Sequence, residues 1–437
     1  MTPQVSSPYR KKPIGHRFSL FRTLLLGIVV ISLIATPTGA QETPISEPLT
    51  EAQALHLAGD HPGFEAYWAA FQANADAETR IAQALPNPDF RWTREQLFSD
   101  PTETEDTLTI EQRLLTSGQR RLNVEAARAD ALATGEEIRV ERASHRHQVR
   151  ISFFELLYRQ EVITAYRNAA VDLERAIESY RQRVEAGESS RYELERLRLE
   201  RAEYEAITGE ETAAIYQIRG ELAAHLGDDG LSDETLSVQG ELLPREIPDD
   251  DAIREALAVH PELIASDHRI DSQTLRSQAA RRIWIPDLLI HAGLKRGRGG
   301  GERHLGWEAG VAVALPIFYR GDGEVSQADA RHDAEVAWRG LLEDRAATRA
   351  MAQARSARRY LAITDEYEVE GLERARHLFA LAEQSYLAGE MSLLEFIDAH
   401  SGLIAAELRY LELAATTRAE LINLQKLLET GDTFEGE

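Results

Sequence analysis

Two stretches of this chain about 200 residues apart read as copies of one another. His61-Pro62 recurs as His260-Pro261, Pro88-Asp89-Phe90 as Pro286-Asp287-Leu288, and the turn at Ser117-Gly118-Gln119 as Arg320-Gly321-Asp322. Ala186-Gly187-Glu188 with Ser190 and Glu193 recurs as Ala388-Gly389-Glu390 with Ser392 and Glu395. An apolar seam repeats as well: Ala170, Leu173, Ile177, Tyr180 and Val184 are matched, each 202 residues later, by Leu372, Ala375, Phe379, Ala382 and Tyr386. Solenoid modules repeat every few tens of residues, so a unit this long is a duplicated half-protein. The copies cover 61–227 and 260–430, preceded by a segment 41–60, separated by a linker with a short helix at 228–259, and followed by a tail at 431–437.

Most of each copy is helix. Gly118 to Ala186 contains no proline and is rich in Ala, Glu, Arg and Leu. From Ala170 to Val184 its apolar residues step 3, 4, 3, 4, the heptad spacing that holds one face against a partner helix. Some 65 residues at about 1.5 Å each make a rod of roughly 100 Å, and Asp322 to Ala388 is expected to make the same rod again. Such rods must pack lengthwise. Each then turns back: Gly187 and Gly389 stand where a left-handed residue ends a helix, and Ser190 with Glu193, like Ser392 with Glu395, forms the capping box that starts the next. The return helices are expected to run to about Leu226 and Glu429, with hairpin tips at 187–190 and 389–392.

The other signal has period two. Around Phe90-Arg91-Trp92, from Leu108 to Leu114, at Leu288, Ile290, Ala292 and Leu294, and at Trp307, Ala309, Val311, Val313 and Leu315, apolar residues alternate with polar or small ones. Strands are expected at about 88–96, 107–115, 287–296 and 304–316, with polar loops at Ser99 to Asp106 and Gly297 to Arg303. One apolar and one small or polar face suits a barrel wall between lipid and water. Four strands cannot close, and an open sheet in lipid leaves its edge groups unpaired. Three copies supply twelve strands, enough for a water-filled lumen. The competing fold is a soluble α+β protein with two small hairpins under helices.

Residues 1–40 read as an export signal: Arg10, Lys11, Lys12, Arg17 and Arg22 precede an apolar run from Leu24 to Ala35, and Thr38-Gly39-Ala40 is a cleavage site before Gln41. The run is too short to span the roughly 30 Å hydrocarbon layer as a helix. Losing this leader, with five basic and no acidic residues, takes the formal charge from −24 to −29. A chain so acidic is a poor candidate for binding nucleic acid or anionic lipid by charge alone. It has no cysteine, which excludes a lipid on an N-terminal cysteine, disulfides and Cys-type metal sites.

These features resemble the outer membrane efflux protein family, the TolC-like channel tunnels, over about Thr50 to Glu429. The most specific residues are Leu85-Pro86-Asn87-Pro88 before the first strand, Leu315-Pro316-Ile317-Phe318 at the end of the fourth, and the two glycine tips. The Pro-Asn-Pro form is most similar to the heavy-metal efflux branch that includes CzcC and CusC. The resemblance implies an α+β membrane protein: duplicated long helical hairpins forming a periplasmic tunnel, and four strands per chain contributing to a homotrimeric twelve-stranded barrel in outer-membrane lipid. It also implies two partners, a periplasmic adaptor (membrane fusion protein) and an inner-membrane pump of RND type. The cargo is metal cations or small molecules, with multidrug efflux or type I protein secretion as the alternative duct. A soluble periplasmic coiled-coil adaptor is the rival of a different class, but adaptors generally have one hairpin and lack duplicated barrel strands.

The resemblance further assigns Glu395 and Asp398 to a ring of six carboxylates at the periplasmic entrance. It assigns Tyr386 to a tyrosine that helps hold that entrance closed, with Glu193 as its expected partner. Met391 replaces a basic residue that reinforces the lock elsewhere in the family. Glu395 is equally the N3 residue of a capping box, and Tyr386 equally a seam residue. Gly187, Glu188, Ser189, Ser190, Gly389, Glu390, Met391 and Ser392 form the tips that an adaptor can reach. No enzyme, cofactor or metal site is expected. His145 and His147, two residues apart on a helix, do not share a face, and Gly297-Arg298-Gly299-Gly300-Gly301 lacks the Gly-Lys-Ser/Thr ending of a phosphate loop.

Overall fold

The computed structural model describes residues 48–96, 99, 103–187, 189–227, 236–299 and 302–429. The expected export signal at 1–40, the tip residue Glu188, linker residues 228–235 and the tail at 431–437 lie outside the described residues.

The chain runs α1 (Glu51–Gly59), α2 (Pro62–Gln83), β1 (Asp89–Gln96), β2 (Thr104–Leu114), α3 (Gln119–Glu185) and α4 (Arg191–Leu226). The order then repeats: α5 (Asp250–Ala258), α6 (Pro261–Ala280), β3 (Leu288–Gly299), β4 (Glu302–Val313), α7 (Asp322–Tyr367), α8 (Glu373–Leu387) and α9 (Leu393–Leu428). The recurring His-Pro pairs have a local cause. His61 and His260 are N-caps whose Nδ1 atoms accept hydrogen bonds from Gly63 N at 2.9 Å and Glu262 N at 3.3 Å. Proline follows at the first helical position, where its missing N–H leaves nothing unsatisfied.

The two rods differ. α3 is continuous over 67 residues, whereas its counterpart is broken by a five-residue π-helical turn at Glu368–Leu372 between α7 and α8. Gly371 stands in that turn, and a Cβ there would meet the Tyr367 ring at 2.6 Å. The extra residue of a π-turn rotates everything beyond it, so the α8 face that meets α9 is set by this bulge as well as by the heptad pattern.

The four strands form one antiparallel sheet in the order β1-β2-β3-β4, with the two repeats joined edge to edge by the β2–β3 pair. β2 begins before the expected 107, at Thr104. Gly297 to Gly299 and Glu302 to Arg303, expected as loop, continue β3 and β4. Backbone pairing persists where the strands leave the apolar zone; only the side-chain alternation that betrays a strand in sequence stops there. One face carries Phe90, Trp92, Leu108, Ile110, Leu294, Trp307 and Val311, all exposed. The other is polar: Lys295 Nζ sits 3.1 Å from both Glu105 and Glu308, and Thr109 donates to Glu308 at 3.0 Å. No helix among the described residues is long and apolar enough to cross a membrane.

The helices pack lengthwise around three apolar clusters. The largest, where α1, α3, α4 and α9 meet, contains Val149, Phe153, Leu156, Leu222 and Ile422. Beside it, buried Arg150 donates to Glu51 at 3.0 Å and to Glu429 at 3.4 Å, and Arg146 reaches Glu429 at 3.1 Å, so the start and end of the described chain are tied to the middle of α3. A second cluster, including Leu173, Ile177, Leu197, Phe396 and Ile397, fills the space between the hairpins near their tips. A third lies between α5, α7 and α9, around Ile253, Ala350 and Leu424.

Candidate functional site

The tips form from short-range chemistry. Gly187 and Gly389 take φ of 77° and 76°, a left-handed conformation that a Cβ would strain. Their amides close the preceding helices, Gly187 N donating to Val184 O at 3.1 Å and Gly389 N to Tyr386 O at 3.0 Å. In the second tip Glu390 N also donates to Ser385 O at 2.9 Å, the longer bond of a Schellman closure. Both return helices carry complete capping boxes. Ser190 N donates to Glu193 Oε2 at 3.3 Å and Ser392 N to Glu395 Oε2 at 2.9 Å; Glu395 N donates in turn to Ser392 Oγ at 3.4 Å. The Ser392 hydroxyl and amide bonds hold the Glu395 carboxyl below its ordinary range.

Glu395 and Asp398 are both exposed and three residues apart on α9, hence neighbours on one face. Glu390, Ser190 and both tip glycines are exposed too, Ser189 is half-buried, and Met391 packs against the apolar cluster beneath the tip.

Tyr386 is placed differently from the expectation. It does not reach Glu193. The residue that does is Tyr180, whose hydroxyl donates to Glu193 Oε2 at 2.7 Å. Tyr386 is 6% exposed, stacked on Phe396 at 4.7 Å and parallel to Tyr180 at 6.3 Å, with the Arg183 guanidinium 5.6 Å from its ring centre. Its hydroxyl has no hydrogen-bond partner among the described residues, and burial pushes its pKa up. The reason is depth along the rod. Tyr180 and Tyr386 are not repeat equivalents, so one tyrosine lies a turn farther from its tip and reaches the acid of its own hairpin, while the other is held in the seam between hairpins.

Further along the same cluster lies a residue the sequence did not single out. His400 is 1% exposed, its ring lies among Tyr204 at 5.8 Å, Phe379 at 5.3 Å and Phe396 at 6.4 Å, and neither ring nitrogen has a partner. Burial lowers its pKa, against the opposing pull of Asp172 and Glu200. Burial also pushes the neighbouring Tyr204 hydroxyl up to about 12. A histidine on α9 among apolar residues carries no signal of its own; only the packing of α4, α8 and α9 brings these rings together.

The two histidines of α3 face different surroundings. His145 lies 4.0 Å from the Phe64 ring and 5.6 Å from the His225 ring, while His147 is buried near Arg150 and Lys426. No group of three His, Cys, Asp or Glu residues among those described is arranged to hold a metal ion.

Comparison with known proteins gives this architecture relatives. The profile of the family described as "Outer membrane efflux protein" matches residues 63–227 and 252–430. The chain is 28% identical over 428 residues, 94% of its own length and 99% of the other's, to the cobalt-zinc-cadmium resistance protein CzcC of Cupriavidus metallidurans. Among solved structures it is similar to the CmeC outer membrane channel of Campylobacter jejuni, with TM-score 0.71 and 16% identity, covering 89% of this chain and 87% of that one. It is equally similar to CusC, with TM-score 0.71 and 16% identity, covering 86% of this chain and 91% of that one.

Proposed function

The chain belongs to the outer membrane efflux protein family, an outer membrane channel extending into the periplasm rather than an enzyme, and from that premise we propose that it is the exit duct of a tripartite efflux machine. In this reading three copies close a twelve-stranded barrel, a periplasmic adaptor docks on the tips, and an inner-membrane pump of RND type supplies the energy. The observation that carries it is the sheet. Within one protomer β1 and β4 each have an unpaired outer edge among the described residues, while one sheet face is apolar and exposed. Such edges are admissible in lipid only when another chain pairs with them.

The cargo we propose is divalent metal cations, on the strength of the relative whose name is cobalt-zinc-cadmium resistance protein and the acids at the entrance. Glu395 and Asp398 are the proposed gate acids: three copies of two exposed carboxylates on one face set six negative charges around a narrow axis, which attracts cations. Glu193 with Tyr180 is the proposed internal tether of the first hairpin, and Tyr386 a packing element of the closed state whose hydroxyl is sealed in the seam between hairpins. Gly187, Glu188, Ser189, Ser190, Gly389, Glu390, Met391 and Ser392 are the proposed adaptor-docking residues.

The test is the tolerance of a deletion strain to a panel of metal salts and antibiotics. Sensitivity to particular divalent metals, restored by the wild-type gene, supports the cation duct. Broad drug sensitivity with normal metal tolerance replaces it with a multidrug duct.

A further inference from the structure

The apolar face of the sheet ends abruptly in arginine. Strand register sets side chains in rows across the sheet, and Trp92, Leu108, Leu294 and Trp307 make up one row. The next outward row toward the hairpin turns is Arg94, Asp106, Arg296 and Leu305; the one after it is Gln96, Thr104, Arg298 and Arg303. Four arginines and a single aspartate thus follow two tryptophans on the face that meets lipid, in a chain whose formal charge is −24.

Three further observations bear on what these arginines meet. The first is height. Eight residues separate Leu288, at the helix end of β3, from Arg296, which is about 27 Å along the strand and about 21 Å along the barrel axis at a tilt of about 40°. That matches the apolar band of roughly 25 Å expected of such barrels, so Arg296 emerges where hydrocarbon gives way to headgroups, on the side away from the helices. The second is that the charges are unspent. Among the described residues Arg296, Arg298 and Arg303 have no hydrogen-bond or ion-pair partner, and Arg94 lies only within 3.8 Å of Asp106. The third is that Arg298 and Arg303 are direct cross-strand partners on one face. Like charges set opposite each other destabilise a sheet, and an anion lying across both reverses the sign of that interaction.

We propose that Arg94, Arg296, Arg298 and Arg303 form a collar that binds the anionic phosphate headgroups of the outer leaflet around the extracellular mouth of the barrel. The guanidinium fork matches a phosphate's oxygens two at a time, and juxtamembrane basic side chains hold anionic lipid by additive attraction. The tryptophan row beneath anchors the same boundary, as aromatic girdles do. This inference rests on the barrel reading above.

The experiment uses the full-length protein, delipidated in non-ionic detergent. Phosphatidylglycerol, phosphatidylcholine or inorganic phosphate is titrated in, and binding is read by native mass spectrometry and by the fluorescence of the tryptophans. The wild type is expected to bind phosphatidylglycerol at least tenfold more tightly than phosphatidylcholine. The R296Q/R298Q/R303Q variant should lose at least tenfold of that affinity, and inorganic phosphate at the same concentration should not compete. Equal binding of the two lipids, an unaffected triple variant, or competition by free phosphate overturns the collar. Membrane fractionation of the same cells keeps the two readings separate: wild-type protein found in the soluble fraction overturns the barrel and the collar together, whereas outer-membrane protein without lipid preference overturns the collar alone. The side chains changed are exposed and outside every apolar cluster, and an unaltered strand signal in circular dichroism confirms folding.

Discussion

Two tyrosines at the hairpin ends differ in one respect that can be measured: Tyr180 spends its hydroxyl and Tyr386 does not. Tyr180→Phe removes a 2.7 Å bond to a carboxylate that also caps α4 through Ser190 N. A hydrogen bond to a charged group contributes about 1.5–3 kcal/mol, equivalent to roughly a 10- to 100-fold change in a local opening equilibrium. Tyr386→Phe removes a buried hydroxyl with no partner among the described residues, so its effect should lie between zero and a stabilisation of about 1 kcal/mol. The ring stacks on Phe396 and Tyr180 survive both changes. Amide hydrogen exchange across 190–197 reads the difference directly: at least tenfold faster for Tyr180→Phe, unchanged or slower for Tyr386→Phe. In planar bilayers Tyr180→Phe should also raise mean conductance. If Tyr386→Phe instead speeds exchange and opens the channel while Tyr180→Phe is silent, the tether within one hairpin is the wrong contact and the reasoning fails.

Replacing Glu395 and Asp398 together with alanine should raise single-channel conductance and weaken block by divalent cations; unchanged conductance and block would leave Glu395 as a helix cap and nothing more. Burial holds the His400 pKa below its ordinary value near 6.5, so the unfolded chain takes up a proton there before the folded one, and the folded state loses stability as pH falls below about 6.5. His400→Leu should flatten exchange of 396–404 between pH 7 and pH 5, and an unchanged pH dependence would assign it to other groups. Arg150→Met leaves Glu429 buried with only Arg146 beside it, a loss of about 1.5–3 kcal/mol, that of a hydrogen bond to a charged group; a chemical-denaturation midpoint equal to that of the wild type would show the pair to be dispensable.

Much of this protein was legible in sequence where local chemistry carries the signal. The His-Pro caps, the tip glycines and the S-x-x-E boxes each act within six residues of backbone, and each occurs twice, so the duplication turned common motifs into specific ones. The strands were visible only through their apolar zone. Thr104 to Asp106 and Gly297 to Gly299 pair as strand by backbone alone, and a polar side chain there gives no periodicity to read.

The sequence by itself determined the repeat, the two hairpins, the four strands and their apolar face, because helix and strand periods are properties of neighbouring residues. Only the tertiary structure decided that Tyr180 rather than Tyr386 meets Glu193, that a π-turn interrupts the second rod, that His400 is sealed among aromatic rings, and that Arg298 opposes Arg303. Each depends on the depth, rotation or register at which one element lies against another, and these are fixed when the surfaces pack.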